Sequence, residues 1–305
     1  MAMPATNAMP VADAHHHLWD LNALRYPWLQ GPPGAEGFSG DTSPLRRDYL
    51  IDDFLADSLS SGVVRSVHVQ AEVDPSDPVA ETRWLQGIAD AHGFPHGIVA
   101  FVALDKKDAE TIIEGHCQYA NMRGVRQLLN WHSNPAFRQT DRADYMTDPG
   151  WRRGFALLAR YGLSFDFHVH PSQMDDAASL VNAFPETSVV IDHTGLPLDR
   201  DEAGLSAWRR GMRTLARSDN VAVKISGLGM FDHDWTADTV RPFINETIEI
   251  FGPSRCMFGS NFPVDRLYSS YGHLVSTFRE AIAGYKPEEQ RLMLHDNAVN
   301  FYRLG

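Results

Sequence analysis

Cysteine is nearly absent: Cys117 and Cys256 are the only two in 305 residues, and neither falls in a Cys-x-x-Cys or zinc-finger spacing. A disulfide framework is excluded, and a reducing cytosol is the expected compartment. Long apolar runs are missing too. No stretch approaches the roughly 18 residues of a membrane span, and the N-terminus lacks the basic and apolar regions of an export signal. Residues 1–10 read as a flexible N-terminus. Positive charge is in deficit: 27 Lys+Arg against 39 Asp+Glu leave a formal net charge of -12, which repels phosphate backbones and anionic lipid. Neither nucleic acid nor a membrane is an expected partner, and a small molecule is. Low-complexity breaks are also lacking, while 43% hydrophobic content suffices for one large core.

What is present is alternation. Short β-branched runs recur at Val11–His17, Val63–Ala71, Ile98–Leu104, Gly124–Leu129, Leu163–His170, Ser188–His193, Val221–Gly227 and Cys256–Asn261. Between them lie helical patterns such as Pro78–His92 and Trp151–Tyr161, whose apolar residues fall near one face. Several open at a capping residue or proline, as at Asp148-Pro149, or close at a glycine, as at Gly93. Eight strand–helix pairs without a linker predict an α/β fold, a (β/α)8 TIM barrel forming a single domain over residues 11–305, rather than an open doubly wound sheet. The Gly- and Pro-rich segment Tyr26–Pro44 is too long for a routine connection and is expected to cover the barrel mouth. A last helix, packed on the outside of the barrel, is expected over Pro287–Tyr302.

In such a barrel the chemistry sits at the C-terminal ends of the strands, and polar residues accumulate there. Strand one ends His15-His16-His17, strand five carries Asp166, His168 and His170, strand six ends Asp192-His193, strand seven holds Lys224 and Ser226, and strand eight ends Ser260-Asn261. Side chains alternate along a strand, so His15 and His17 share a face and His16 points away as a structural residue. Two imidazoles so spaced can grip one divalent metal, and neutral imidazole suits zinc. Arg126, at inward spacing on strand four, offers a planar fork for a substrate carboxylate or carbonyl. Lys224 either binds another oxygen anion or pairs with Asp192 or Asp166. Trp28 is a candidate pocket wall, and Glu72, just past strand two, a candidate substrate-binding or catalytic acid.

These residues carry a resemblance. Asp13-Ala-His-His-His-Leu-Trp-Asp20, Tyr26-Pro-Trp-Leu29, Gly124-Val-Arg126, Phe165-Asp-Phe-His-Val-His-Pro171, Ile191-Asp-His-Thr-Gly195, Lys224-Ile-Ser-Gly227 and Met257-Phe-Gly-Ser-Asn-Phe-Pro-Val264 resemble, in order and spacing, the amidohydrolase superfamily. The likeness is to its amidohydrolase-2 branch, which contains sugar-lactone and pyrone-dicarboxylate lactonases. It spans nearly the whole chain and implies a (β/α)8 barrel and hydrolysis at a carbonyl carbon. It also implies one divalent metal, zinc first, while leaving metal-free catalysis open. His15 and His17 match the strand-one pair and His193 the strand-six histidine. His170, directly before Pro171, is assigned the strand-five position as metal ligand or catalytic group, with His168 as its competitor and a substrate-binding candidate.

Strand eight departs from the pattern. The resemblance implies Gly-Ser-Asp-x-Pro, whose aspartate ligates metal or activates water, and here Asn261 stands in that place. An amide takes up no proton usefully and is a weak ligand. Asp265, four residues on and expected on a loop over the mouth, is assigned as the substitute base, with Glu72 behind it. The expected reaction is opening of a lactone of a small carboxylated metabolite from sugar-acid or aromatic catabolism. The alternatives are amide hydrolysis, non-oxidative decarboxylation of an aromatic acid, or a binding protein that has lost catalysis. Substrate and oligomeric state, a homo-oligomer included, stay open.

Overall fold

A computed structural model of the chain describes residues 9–32 and 37–305. Most of the expected N-terminal segment, and residues 33–36 within the expected cover of the mouth, lie outside the described residues. Eight parallel strands pair in chain order: β1 Val11–His16, β2 Val63–Val69, β3 Gly97–Ala100, β4 Met122–Val125, β5 Ser164–Phe167, β6 Val189–Ile191, β7 Val221–Ile225 and β8 Cys256–Phe258. The seam between β1 and β8 is sewn beyond the formal end of β8, where the Asn261 N–H donates to the His15 carbonyl (2.7 Å) and the His17 N–H to the Phe262 carbonyl (2.7 Å). The sheet is thereby a nearly closed (β/α)8 barrel.

The strands are shorter than the sequence pattern suggests, always at the C-terminal end. There the polar residues leave the ladder to face the mouth, and three do so from left-handed backbone: Glu72 (φ 60°), His193 (φ 51°) and Asn261 (φ 55°). Such conformations cost about 1–3 kcal/mol each and cluster at working sites. The helices meet expectation, running from Val79 to His92 and from Pro149 to Arg160, the latter capped by Asp148 accepting from the Trp151 N–H (2.9 Å).

Alternation sorts the side chains into two cores. Phe165, Phe167 and Val169 pack outward against the helices with Trp151 and Phe155, whereas Ala12, Ala14, Val67, Val69, Val99 and Val190 line the lower barrel. Tyr302 and Leu304 belong to this inner core, so the C-terminal helix, unbroken from Pro287 to Tyr302, plugs the barrel floor rather than resting on its flank. One irregularity matters for the site. The β1–β2 register shifts between Asp13 and His16, while Asp13 accepts from the His15 and Ser260 N–H groups and from the Ser260 and Tyr271 hydroxyls. This bulge turns His15 inward above Ala14 and places His17 above it.

Candidate functional site

Above the aliphatic layer the barrel interior becomes charged. The Lys224 ammonium from β7 lies 2.5 Å from Asp166 Oδ2 of β5 and 3.0 Å from Asp192 Oδ1 at the end of β6, and all three side chains are fully buried. The Tyr302 hydroxyl donates to Asp166 from below. Burial pushes the Asp166 carboxyl up to about 6 against the pull of Lys224. Burial acts on Asp192 too, but Lys224 and then His15 overcome it and hold this carboxyl well below its usual range. Asp192 also faces Arg126 Nη1 at 3.6 Å. One ammonium therefore neutralises two acids, one firmly ionised.

His15, His17, His193, His168, Arg126 and Asn261 stand over this floor. The His15 ring lies 5.0 Å from His17 and 4.4 Å from His193, and His168 lies 5.1 Å from His193. Burial lowers the pKa of all four histidines, that of His193 to about 3. They are neutral at pH 7, the state in which an imidazole accepts a proton or ligates a metal. Gly227 permits the crowding: at φ 65° a Cβ there would stand 2.6 Å from His193 Nδ1. That nitrogen is instead 3.0 Å from the Ser226 hydroxyl.

A backbone carbonyl sets the tautomer of His17. His17 Nδ1 is 2.6 Å from the Val69 carbonyl, which only accepts, so Nδ1 carries the hydrogen and Nε2 presents a lone pair. That lone pair faces Asn261 Oδ1 at 3.3 Å, two acceptors with no hydrogen between them. His15 Nδ1 lies between the Lys224 ammonium (3.2 Å) and Asp192 Oδ1 (3.3 Å), and its Nε2 faces the guanidinium of Arg126 (3.5 Å), so the neighbours of this ring pull toward both tautomers. Arg126 also donates through Nη2 to the Gln70 carbonyl (2.6 Å), while its Nε has no partner. Both ring nitrogens of buried His168 are without partners as well.

Several expected residues are relocated. His170 does not join the cluster: its Nε2 donates to the Phe137 carbonyl (2.7 Å), its ring packs 5.1 Å from His132, and it heads the turn Pro171–Gln173. Two residues beyond His168 on the same face, it sits one layer higher and pins the loop after β4, so His168 takes the strand-five place. Asp265 is not on an open loop. It is fully buried behind Asn261, where burial raises its carboxyl to about 8. Lys224 is committed to Asp166 and Asp192 rather than free for substrate. His16 points outward as expected, stacked on Phe54 and bonded to the Ser66 hydroxyl. Trp28 is 37% exposed and donates to the Ala71 carbonyl, edging the mouth beside Glu72. Glu72 accepts from the Gln70 amide, and burial raises its pKa against Gln70 and Arg126.

Asn130 escaped the sequence reading. It is fully buried with both amide atoms unpaired, and the inward alternation starting at Arg126 reaches it four residues on. Asp192, read only as a partner for Lys224, is the hub of the charged floor. The cavity of about 290 Å³ between residues 44–49 and 263–267 is lined by none of the histidines, so chemistry rather than volume identifies the site.

A divalent ion fits this donor set. Donor atoms of His15, Asp192 and His193 lie within 4.8 Å of one another. Asp192 is ion-paired with Lys224 and Arg126 although neither of its oxygens has a hydrogen-bond partner, so the set is neutral imidazoles, Asn261 Oδ1 and one carboxylate for which two cations compete with the ion. Such a set holds an ion weakly.

The family profile described as Amidohydrolase matches residues 12–304. The chain is 43% identical over 294 residues to an uncharacterized protein, y4mH, of Sinorhizobium fredii, covering 96% of this chain and 98% of that protein. It is 27% identical over 306 residues to an L-fucono-1,5-lactonase of Burkholderia ambifaria, covering 96% and 95% respectively. Among solved structures, a Burkholderia multivorans amidohydrolase with bound zinc superposes with a TM-score of 0.81 at 24% identity, over 97% of this chain and all of that one. The chain belongs to the amidohydrolase family and is an enzyme of that superfamily.

Proposed function

From that membership, we propose that the protein opens the ring of a small hydroxylated lactone with water. The observation that carries this reading is the paired acceptor edge of His17 Nε2 and Asn261 Oδ1, 3.3 Å apart at the C-terminal end of the barrel. A water molecule donates one hydrogen to each atom and turns its oxygen lone pair toward the substrate. The base is His17, whose tautomer the Val69 carbonyl holds. As the water oxygen bonds to the lactone carbonyl carbon, its proton passes to His17 Nε2. When the tetrahedral species collapses, the ring C–O bond breaks and the same proton goes to the leaving ring oxygen, giving an alcohol and a carboxylic acid, which releases the water's second proton to solvent as it ionises.

The carbonyl oxygen, as it gains negative charge, accepts from the free N–H of Arg126. Burial, and after it Arg126, depress the basicity of His17 in the free enzyme. Charge developing against the guanidinium offsets part of this, so the base strengthens as the reaction proceeds. A divalent ion held by His15, Asp192 and His193 would supply Lewis acidity toward the same carbonyl and leave His17 Nε2 to the water.

Substrate class follows from what is left unpaired. His168 and Asn130 offer neutral donor–acceptor pairs that suit hydroxyl groups, and Arg126 is the cation of the floor with a free N–H. A polyhydroxylated δ-lactone, as in the L-fucono-1,5-lactonase name of a relative, matches this better than a dicarboxylate. The test is proton release from sugar δ-lactones, 2-pyrone-4,6-dicarboxylate and 2,6-dihydroxybenzoate, with and without chelator. Turnover of sugar lactones is expected. Carbon dioxide release from the benzoate, or hydrolysis of the dicarboxylate alone, would overturn the reading.

A further inference from the structure

The buried acid Asp265 has no part in the chemistry just described, and its surroundings say what it does. Its backbone N–H donates to the Asn261 carbonyl (3.1 Å), which tucks the residue behind Asn261 at the start of the turn Asp265–Leu267. Its carboxyl faces the Asn261 amide and the Gly227 N–H on one side. On the other is a cavity of about 20 Å³, room for one water, walled by Leu228, Ile244, Phe258, Leu274 and the indole of Trp235. The Trp235 Nε1–H is buried and unpaired, as are Asn261 Nδ2 and both carboxyl oxygens of Asp265. Asn261, Gly227 and Trp235 thus each have an N–H group to offer the carboxyl. The amide of Asn261 can present either its NH2 or its oxygen to Asp265, and a carboxyl oxygen, which accepts a hydrogen whether the group is ionised or protonated, is matched by the NH2.

We infer that Asp265 is a positioning residue, whose carboxyl takes the NH2 of Asn261 and thereby keeps Asn261 Oδ1 turned toward His17. Without it the amide is free to rotate by half a turn. Its NH2 then donates to His17 Nε2, occupying the lone pair that the water needs. The carboxylate missing from position 261 is in this sense moved one place outward, acting on the site through an amide rather than on the substrate. The inference rests on reading His17 and Asn261 as the water-binding edge, but its structural half can be measured without substrate.

The experiment uses Asp265→Leu and Asp265→Asn in the full chain, with three readouts: thermal stability, the NMR resonances of the Asn261 side-chain amide, and turnover of L-fucono-1,5-lactone. Asp265→Leu, which fills the apolar side of the site, is expected to move the amide resonances and lower kcat by about 10–100-fold, with KM nearly unchanged and Tm not reduced. Asp265→Asn still offers a carbonyl oxygen to the Asn261 NH2 and is expected to retain kcat within about tenfold. A base would behave oppositely, so Asp265→Asn as inactive as Asp265→Leu overturns the inference. Unmoved amide resonances or full kcat in Asp265→Leu does so as well. If the wild type leaves this lactone untouched, the lactonase reading fails while the resonances still decide whether Asp265 holds the amide.

Discussion

Two layers of the barrel interior, one directly above the other, differ in how completely their polar atoms are engaged. In the lower layer every charge meets its opposite: Lys224 meets Asp166 and Asp192, Tyr302 meets Asp166, and His15 and Arg126 meet Asp192, whose oxygens are held by ion pairs without a hydrogen bond. In the upper layer His168 has neither ring nitrogen bonded, Arg126 has a free Nε, and His17 points a lone pair at another acceptor. Leaving a buried polar group unpaired costs about 1–3 kcal/mol, so the upper layer is maintained against stability. The lower layer is scaffold, and the upper one faces the ligand. Residues of similar character, histidine or cation on an inward strand position, thus divide by the saturation of their neighbours.

The largest effect expected from breaking this contrast is in the scaffold. Lys224→Met leaves two buried carboxyls against a thioether and should destabilise the fold by about 3–5 kcal/mol, read from urea denaturation. A loss below about 1 kcal/mol would show that the charged floor is not structural. His168→Leu, one layer up, removes groups that have no partner. It should leave the denaturation midpoint unchanged or raised, while turnover of the preferred lactone drops by about 10²-fold or its KM rises; a marked loss of stability would move His168 into the scaffold.

Arg126 bridges the layers and sharpens the comparison. Arg126→Lys keeps the charge near Asp192 but loses the planar fork that meets Gln70, His15 and substrate together. A fall in kcat/KM of about tenfold or more with little change in folding is expected, and unchanged kinetics would remove it from the ligand face. Chelator should strip any bound zinc readily, since the one carboxylate beside the imidazoles, Asp192, is shared with Lys224 and Arg126; zinc that survives prolonged dialysis against chelator would contradict the weak donor set.

The gentlest probe is pH. Burial holds His193 at about 3 and His170 at about 4 in the folded chain, below the ordinary 6.5. The unfolded chain therefore binds more protons as the pH falls below 6.5. Stability is full above that value and is lost progressively down through the folded values. Asp265 has the opposite sign. Its folded value near 8 favours the native state at low pH and is lost as pH rises from about 4 to 8, so Asp265→Leu should flatten that part of the curve.

The histidines were legible because alternation on β1 and the clustering of polar residues at strand ends are local patterns. His15 and His17 share one face and His16 takes the other, as that period demands, while the bulge after Asp13 turns the pair inward. The choice between His168 and His170 was not legible, because both share the period and only height in the barrel separates them. Asn130 was within reach of the same arithmetic from Arg126. Asp265 was misplaced because a position four residues past a strand says nothing about whether the chain has already turned into the wall.

By itself the sequence determined the strand count, the parallel order, the closed barrel and the ring of polar strand ends, since these follow from periodicity and chain order. Tertiary structure alone decided that Lys224 is neutralised from two other strands, that Tyr302 closes the floor, and that Asp265 reaches the site through Asn261. Those facts depend on which atoms meet across strands far apart in sequence. Such meetings are set by strand tilt, by the bulge in β1 and by the left-handed turns at His193 and Asn261, where one residue's φ redirects the side chain.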